Sequence, residues 1–285
     1  MNFKRIQWLL VASLFIIYGC EEKKTAPGRP KQIVIKRVKP AKDINYAFVK
    51  TSAYLKQHKP SQKEWEIFCA VNRADSAHVA KMDSMLVPSD LNADIAYYLP
   101  FPLSVPALNE ISKIILFSYP AQSFGAYEYG QLVYTGATNM GRKADPTPTG
   151  LFFTNWKAEE TKSTFNDEWE LKWNFNIENK EGVGWHEYEM PGYPASHSCL
   201  RLQEKDARYL YDWADQWVLH GADSIKQKGT PVVVFGSYPF GNTKPWYQLI
   251  NNPHALDINA GEINSLTKPY MNEILEVQRK RSQYE

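Results

Sequence analysis

The chain has 285 residues, enough for one or two domains with a sizeable buried core. Hydrophobic residues make up 44%, which excludes global disorder, and 33 basic against 31 acidic residues lack the basic excess of a nucleic-acid binder. Aromatics reach 14%, which suits β-structure and also grooves that hold flat or sugar-like ligands.

Lys4 and Arg5 precede an apolar run from Trp8 to Tyr18, broken only by Ser13. That run is short for a membrane span and the right length for the hydrophobic part of a signal peptide. Its end, Ile17-Tyr18-Gly19-Cys20, resembles the lipobox of bacterial lipoproteins, although Tyr18 is bulky for its place. The resemblance implies a signal peptide over residues 1–19 and lipidation at Cys20. The expected location is the cell envelope, facing the periplasm and anchored to a membrane by the lipid. An ordinary secretory signal or an uncleaved anchor are the alternatives. Residues 20–42 read as a tether, because Glu21 to Lys31 is charged, contains Pro and Gly, and lacks large apolar side chains.

Residues 43–105 read as a small helical region. Ala47, Phe48, Tyr54, Leu55, Trp65, Phe68 and Cys69 recur at helical spacings in two pieces. Lys59-Pro60-Ser61 divides them, and Ser61 with Glu64 three residues on predicts a capping box. Cys69 falls on the apolar side and is expected to be a buried structural thiol. A short helix and a strand follow within Asn72 to Pro88, then an extended connection carrying Pro100, Pro102 and Pro106.

Residues 106–240 change character. Ile114-Ile115-Leu116-Phe117 reads as a buried strand, and Tyr129-Gly130 as the turn of a hairpin. Leu151 to Phe153, Trp169 to Ile177 and Pro231 to Phe235 add strands, and one helix is expected from Glu204 to Val218. Residues 241–285 read as loops and a helix from Lys268 to Arg281, with Pro269 in its first turn and Arg279-Lys280-Arg281 a solvated end. The expected fold is mainly β with a few helices, in mixed sheets.

Cys20, Cys69 and Cys199 are too few and too odd a set for a disulfide framework. The stretch Trp185 to Leu202 is the informative one: it gathers His186, Ser196, His197, Cys199 and Arg201. A thiol acyl transferase needs these types, because the thiolate is the nucleophile and an imidazole generates it. Backbone N–H groups in a turn before a helix can hold the oxyanion. One Cys and two His can also bind a metal, but the paired cysteines of zinc sites are absent. Trp156, Trp169, Trp173 and Trp185 read as strand packing before a glycan-contacting groove, and His58, His78, His220 and His254 as surface or packing residues.

Gly192-Tyr193-Pro194-Ala195-Ser196-His197-Ser198-Cys199-Leu200-Arg201-Leu202, with His186 upstream, resembles the active-site signature of the L,D-transpeptidase (YkuD-like) catalytic domain. Gln122 to Tyr127 resembles the family's opening hairpin, Pro146-Thr147-Pro148-Thr149-Gly150 its Thr-Pro-Thr-Gly turn, and Gly229 to Val232 its closing strand. The resemblance spans roughly 110 to 236 in the family's order and implies a β-sandwich-like catalytic fold. It makes Cys199 the nucleophile, His186 the base, and His197, Ser198, Ser196, Arg201 and Tyr193 the substrate, oxyanion and supporting shell. The implied partners are peptidoglycan stem peptides, as donor and amine acceptor, with no nucleic acid, metal or organic cofactor. Hydrolysis through the same cysteine and a non-catalytic wall binder are the alternatives. Ser198 stands where the family carries Gly, and an ordinary or mildly strained backbone is expected there.

Overall fold

A computed structural model of the protein describes residues 35–163, 170–221 and 224–283. The expected signal peptide of residues 1–19, Cys20 and Trp169 lie outside the described residues.

In the first half, β1 (Tyr46–Lys50) leads into α1 (Thr51–Gln57), α2 (Gln62–Asn72), α3 (Ser76–Lys81) and β2 (Ser84–Pro88). The five strands β3 (Ile114–Ser118), β4 (Ser123–Glu128), β5 (Gln131–Ala137), β6 (Gly150–Phe153) and β7 (Lys157–Lys162) follow. The second half holds β8 (Glu170–Glu178), β9 (Val183–Glu187), β10 (Leu200–Leu202), α4 (Glu204–Trp213), β11 (Val218–Leu219), β12 (Ile225–Gln227) and β13 (Pro231–Phe235). It ends with α5 (Ala260–Thr267) and α6 (Met271–Arg281). Among the described residues the fold is mainly β, in mixed and antiparallel sheets with six helices.

Strand alternation decides the layering. A five-stranded sheet runs β5-β4-β3-β13-β6, with β3 and β13 parallel at its centre. A four-stranded sheet runs β10-β9-β8-β7, with β9 and β10 parallel. Ile115 and Phe117 of β3 and Val232 and Val234 of β13 point to a core shared with Trp185, Leu200, Leu202 and Leu210. The alternate residues Ile114, Leu116 and Val233 point the other way, against Leu108, Ile263 and Ile274. The central strands are therefore apolar on both faces, as a sheet buried on both sides requires. The β4–β5 turn places Tyr129 at φ 46° and Gly130 at φ 73°, the two positive φ values of a tight hairpin.

Several expectations need correction. Tyr46–Lys50 is a strand paired with β2, not the start of a helix. Its helical spacing was carried by Ala47 and Phe48, and Phe48 is 41% exposed. The tether ends before residue 42, since Arg37 pairs with Asp94 at 2.7 Å and donates to the Leu132 carbonyl. The fourth helix stops at Trp213, five residues early. Asp215 is drawn out by reciprocal bonds with Thr230, and the Trp217 N–H donates to the Asn155 carbonyl. The C-terminal stretch holds an additional helix, α5, capped by a reciprocal Asn259–Glu262 box. Arg281 is not simply solvated, because its guanidinium donates to the Gln216 carbonyl.

Other readings hold. Ser61 and Glu64 form the reciprocal capping box of α2. Cys69 is 2% exposed, within a cluster with Phe68, Val79 and Met85. The region before residue 105 is fastened to the strands beyond it. Asp75 exchanges bonds with Met190, and Arg73 donates to the Ala121 carbonyl.

Candidate active site

The register of two short parallel strands builds the site. Trp185 stands opposite Leu200, and His186 opposite Arg201. Trp185, Leu200 and Leu202 are fully buried in the core, so the pleat turns His186 and Arg201 to the other face. That face opens into a cleft of about 280 Å³ lined by Cys199, His186, Ser196, His197, Arg201 and Tyr188 among others. All seven expected catalytic and shell residues other than the lipidation cysteine lie between His186 and Arg201, and five of them line the cleft.

The turn before Cys199 is tied at several points. Ser196 Oγ donates to the Cys199 carbonyl at 2.6 Å, and the Ser196 N–H donates to the Met140 carbonyl. Thr147 Oγ1 donates to the Ser198 carbonyl at 2.8 Å and accepts the Gly141 N–H at 2.8 Å. Asn139 adds a clamp: its amide donates to the Tyr193 carbonyl and accepts the Ala195 N–H, while its backbone pairs with Arg201. Thr147 sits in the motif that the sequence reading had matched only as a turn. Asn139 carried no signal of its own.

Ser198 has φ 75°, so of the ordinary or mildly strained backbone expected there the strained one is present. The position keeps the left-handed conformation that the resembling family's Gly adopts freely, and Ser bears the strain. Left-handed backbone costs a non-Gly residue on the order of 1–2 kcal/mol, partly offset because Gly adds about 0.4–1 kcal/mol of unfolded-state entropy. Ser198→Gly is therefore expected to raise stability by a few tenths to about 1 kcal/mol, read as a higher denaturant midpoint. A lower midpoint would contradict the strain.

His186 is 4% exposed, and its Nδ1 lies 2.8 Å from the Glu187 carbonyl oxygen. A carbonyl only accepts, so Nδ1 carries the proton and Nε2 keeps its lone pair. Burial pushes the imidazole pKa down to about 4. The Cys199 thiol is half-buried, points a weak S–H donor at the Gly182 carbonyl 3.8 Å away, and faces the Gly184 N–H. Burial pushes its pKa up, with that N–H and the Arg201 charge opposing. Gly184 is held to glycine by its own strand pairing, because a Cβ there would lie 2.5 Å from the Phe175 carbonyl oxygen.

The resting pair is thus a neutral thiol and a neutral imidazole, not a thiolate–imidazolium pair. Alkylation by iodoacetamide needs the thiolate. The rate at Cys199 is expected to keep climbing past pH 9, because the pKa lies above the ordinary value of 9.0. A plateau reached below pH 8 would contradict the neutral pair.

The remaining expected residues separate. The Arg201 guanidinium lies 4.4 Å over the Tyr188 ring and donates to the Glu189 carbonyl at 3.4 Å. His197 Nε2 is 4.0 Å from Asp145. The Tyr193 ring is 53% exposed and is not among the cleft residues. Trp185 is core packing, whereas Trp156 lines the cleft and donates its indole N–H to Asn179 at 3.2 Å. His58 stacks on Tyr54, His78 pairs with Asp75 and His254 with Asp257, all outside the cleft. Among the described residues, no three His, Cys, Asp or Glu side chains come together as a metal set.

The sequence reading missed Asn174. It lines the cleft at 4% exposure, and its Nδ2 has no hydrogen-bond partner. It follows Trp173, which has φ 53°, at a bulge where β8 slips against β9 between Lys172 and Phe175. Bulges of this kind re-aim side chains beside functional sites.

Residues 112–234 match the family model of the L,D-transpeptidase catalytic domain. The matched L,D-transpeptidase segment contains every cleft residue named above, and the resemblance read from the sequence holds over it. No curated protein matches the chain. Among solved structures, an L,D-transpeptidase from Stackebrandtia nassauensis is similar at 21% identity, over 45% of this chain and 57% of that chain, with TM-score 0.37. A Mycobacterium smegmatis L,D-transpeptidase is similar at 19% identity, over 44% and 59%, with TM-score 0.35. A mutant Enterococcus faecium L,D-transpeptidase is similar at 23% identity, over 44% and 50%, with TM-score 0.35. The chain covers less than two thirds of the length of each of these structures.

Proposed function

We propose that this protein is a peptidoglycan L,D-transpeptidase working through a Cys199 acyl-enzyme. The observation that carries the reading is the β9–β10 register, which puts Cys199 and His186 on one cleft with the His186 tautomer fixed by the Glu187 carbonyl. His186 Nε2 takes the thiol proton as sulfur attacks the amide carbonyl before the terminal D-residue of a donor stem. N–H groups of the turn at Ser198 and Cys199 hold the oxyanion, since a left-handed residue in a turn gathers successive N–H groups. This differs from the expected helix start, because Cys199 runs into β10 and α4 begins only at Glu204. The His186 imidazolium returns the proton to the departing amine, leaving a thioester. An acceptor amine then attacks the thioester and passes its proton to His186, and the thiolate leaves and is reprotonated.

Arg201 is the group for a substrate carboxylate, and Asn174 Nδ2 is a donor for a substrate carbonyl. The half-exposed walls, with Trp156 on one side, suit a peptide carrying sugar. The experiment is incubation with purified muropeptides and separation of the products. Cross-linked dimers with release of the terminal residue support transpeptidation. Shortened monomers alone would replace it with hydrolysis, in which water is the acceptor. No product at all would favour the wall binder.

The sequence supports a second part of the reading, that Cys20 is lipidated and holds the enzyme to a membrane facing the periplasm. Metabolic labelling with a fatty-acid analogue is expected to mark the wild type and not Cys20→Ser. Equal labelling of the two would remove the anchor.

A further inference from the structure

A second cavity, of about 460 Å³, shares no lining residue with the catalytic cleft. It lies where the residues before β1 meet the segment before α5, and its walls include Tyr46, Arg73, Tyr98, Asp43 and Asp257. Its size is that of small-molecule sites.

Arg73 makes this cavity chemically distinctive. It ends α2 in a left-handed conformation, φ 56°, and is 1% exposed. Nε donates to the Ala121 carbonyl at 2.7 Å and Nη1 to the Ala70 carbonyl. Nη2 is buried without a hydrogen-bond partner. The guanidinium also lies 5.8 Å from the Trp246 ring, which offers a π face but no acceptor. Burial lowers its pKa only to about 10, so it stays charged at neutral pH. A buried cation with an uncommitted N–H group is costly unless an anion or acceptor meets it.

The other groups of the cavity indicate what fits. Tyr46 is 8% exposed, and burial pushes its hydroxyl up to about 12 despite the opposing Arg73 charge, with Asp257 adding to the rise, so it stays a neutral O–H donor. Asp257 is held by His254 at 2.7 Å and is more than half exposed, and Asp43 is exposed. The cavity therefore has a cationic floor and an acidic mouth. A free dianion would meet repulsion at the mouth, whereas a zwitterion would satisfy both ends.

We propose that this cavity binds an amino acid or short peptide, its carboxylate against Arg73 and the Tyr46 hydroxyl and its ammonium toward Asp43 and Asp257. The inference does not depend on the catalytic reading. It adds a second ligand site on the face of the protein built by the region before residue 105 and the C-terminal segment.

Titration calorimetry of the full chain with D-alanine, acetate, methylamine and inorganic phosphate tests it. D-alanine is expected to bind at one site per chain, acetate more weakly, and methylamine and phosphate least. Tyr46→Phe removes one hydroxyl and is expected to weaken D-alanine binding about tenfold, near the value of one charge-assisted hydrogen bond. Arg73→Lys is expected to abolish it, with near-ultraviolet circular dichroism reporting whether that variant folds. Cys199→Ala is expected to bind D-alanine as the wild type does, so failure of the catalytic reading leaves this result standing. No saturable D-alanine binding would overturn the proposal. So would D-alanine affinity unchanged in Tyr46→Phe, phosphate binding more tightly than D-alanine, or competition by a carbapenem acylating Cys199.

Discussion

His186→Gln is expected to slow acylation of Cys199 by a carbapenem about 10²–10⁴-fold, the range for loss of a general base. The expectation follows from the resting charge state. The thiol pKa is raised and the imidazole pKa is lowered to about 4, so neither group is charged before the reaction. In the proposed mechanism the proton moves during attack, and Nε2 of His186 keeps a lone pair and lines the same cleft as Cys199. Gln retains a donor for the Glu187 carbonyl and a similar volume, so the strand pair should survive. Time-resolved intact-mass measurement reads the rate. A rate within a few-fold of wild type, in a folded variant, would show that another base serves Cys199. Because the imidazole stays neutral down to about pH 4, the wild-type rate should not fall on acidification until well below pH 6.

Cys199→Ala is expected to abolish both carbapenem labelling and turnover of stem peptides. The requirement for a thiolate leaves no substitute. Cys69 cannot take over: it is 2% exposed and burial pushes its thiol up to about 12. The fold should be unaffected, since the tethers on this turn run through the Cys199 carbonyl and not its sulfur. Turnover at the wild-type rate in the Ala variant would end the thiol mechanism.

Much of this site was legible in the residues because its chemistry is compressed into one segment. His186 and Arg201 face each other through strand pairing, and Cys199 adjoins it, so linear spacing reported spatial proximity. Asn174 was not legible, because its place in the cleft depends on a bulge at Trp173, a residue type with no preference for positive φ. Ser198 misled for a related reason. A Ser beside the nucleophile suggested an ordinary or only mildly strained backbone, yet the turn is tied from outside by Thr147 and Ser196 and is left-handed.

In the fold, the strands with period-two or fully apolar patterns were readable, β3 and β13 above all. The miss at Tyr46–Lys50 arose where Ala47 and Phe48 fell by chance on a helical spacing, although only Tyr46 of that strand is buried. The early stop of α4 at Trp213 depends on bonds from Asp215 to Thr230, which is brought close only by the sheet. Tertiary pairing overrides local propensity in both cases.

The central claim is a covalent bond between Cys199 and a stem peptide. Intact-mass spectrometry of the protein, sampled within seconds of mixing with a purified disaccharide-tetrapeptide and without added acceptor, tests it directly. The account predicts a mass increase equal to the donor less its terminal residue. The modification should map to Cys199, disappear on addition of an acceptor stem, and be missing in Cys199→Ala. Product formation with the adduct on any other residue, or an unmodified wild-type protein that nonetheless converts the donor, would contradict it.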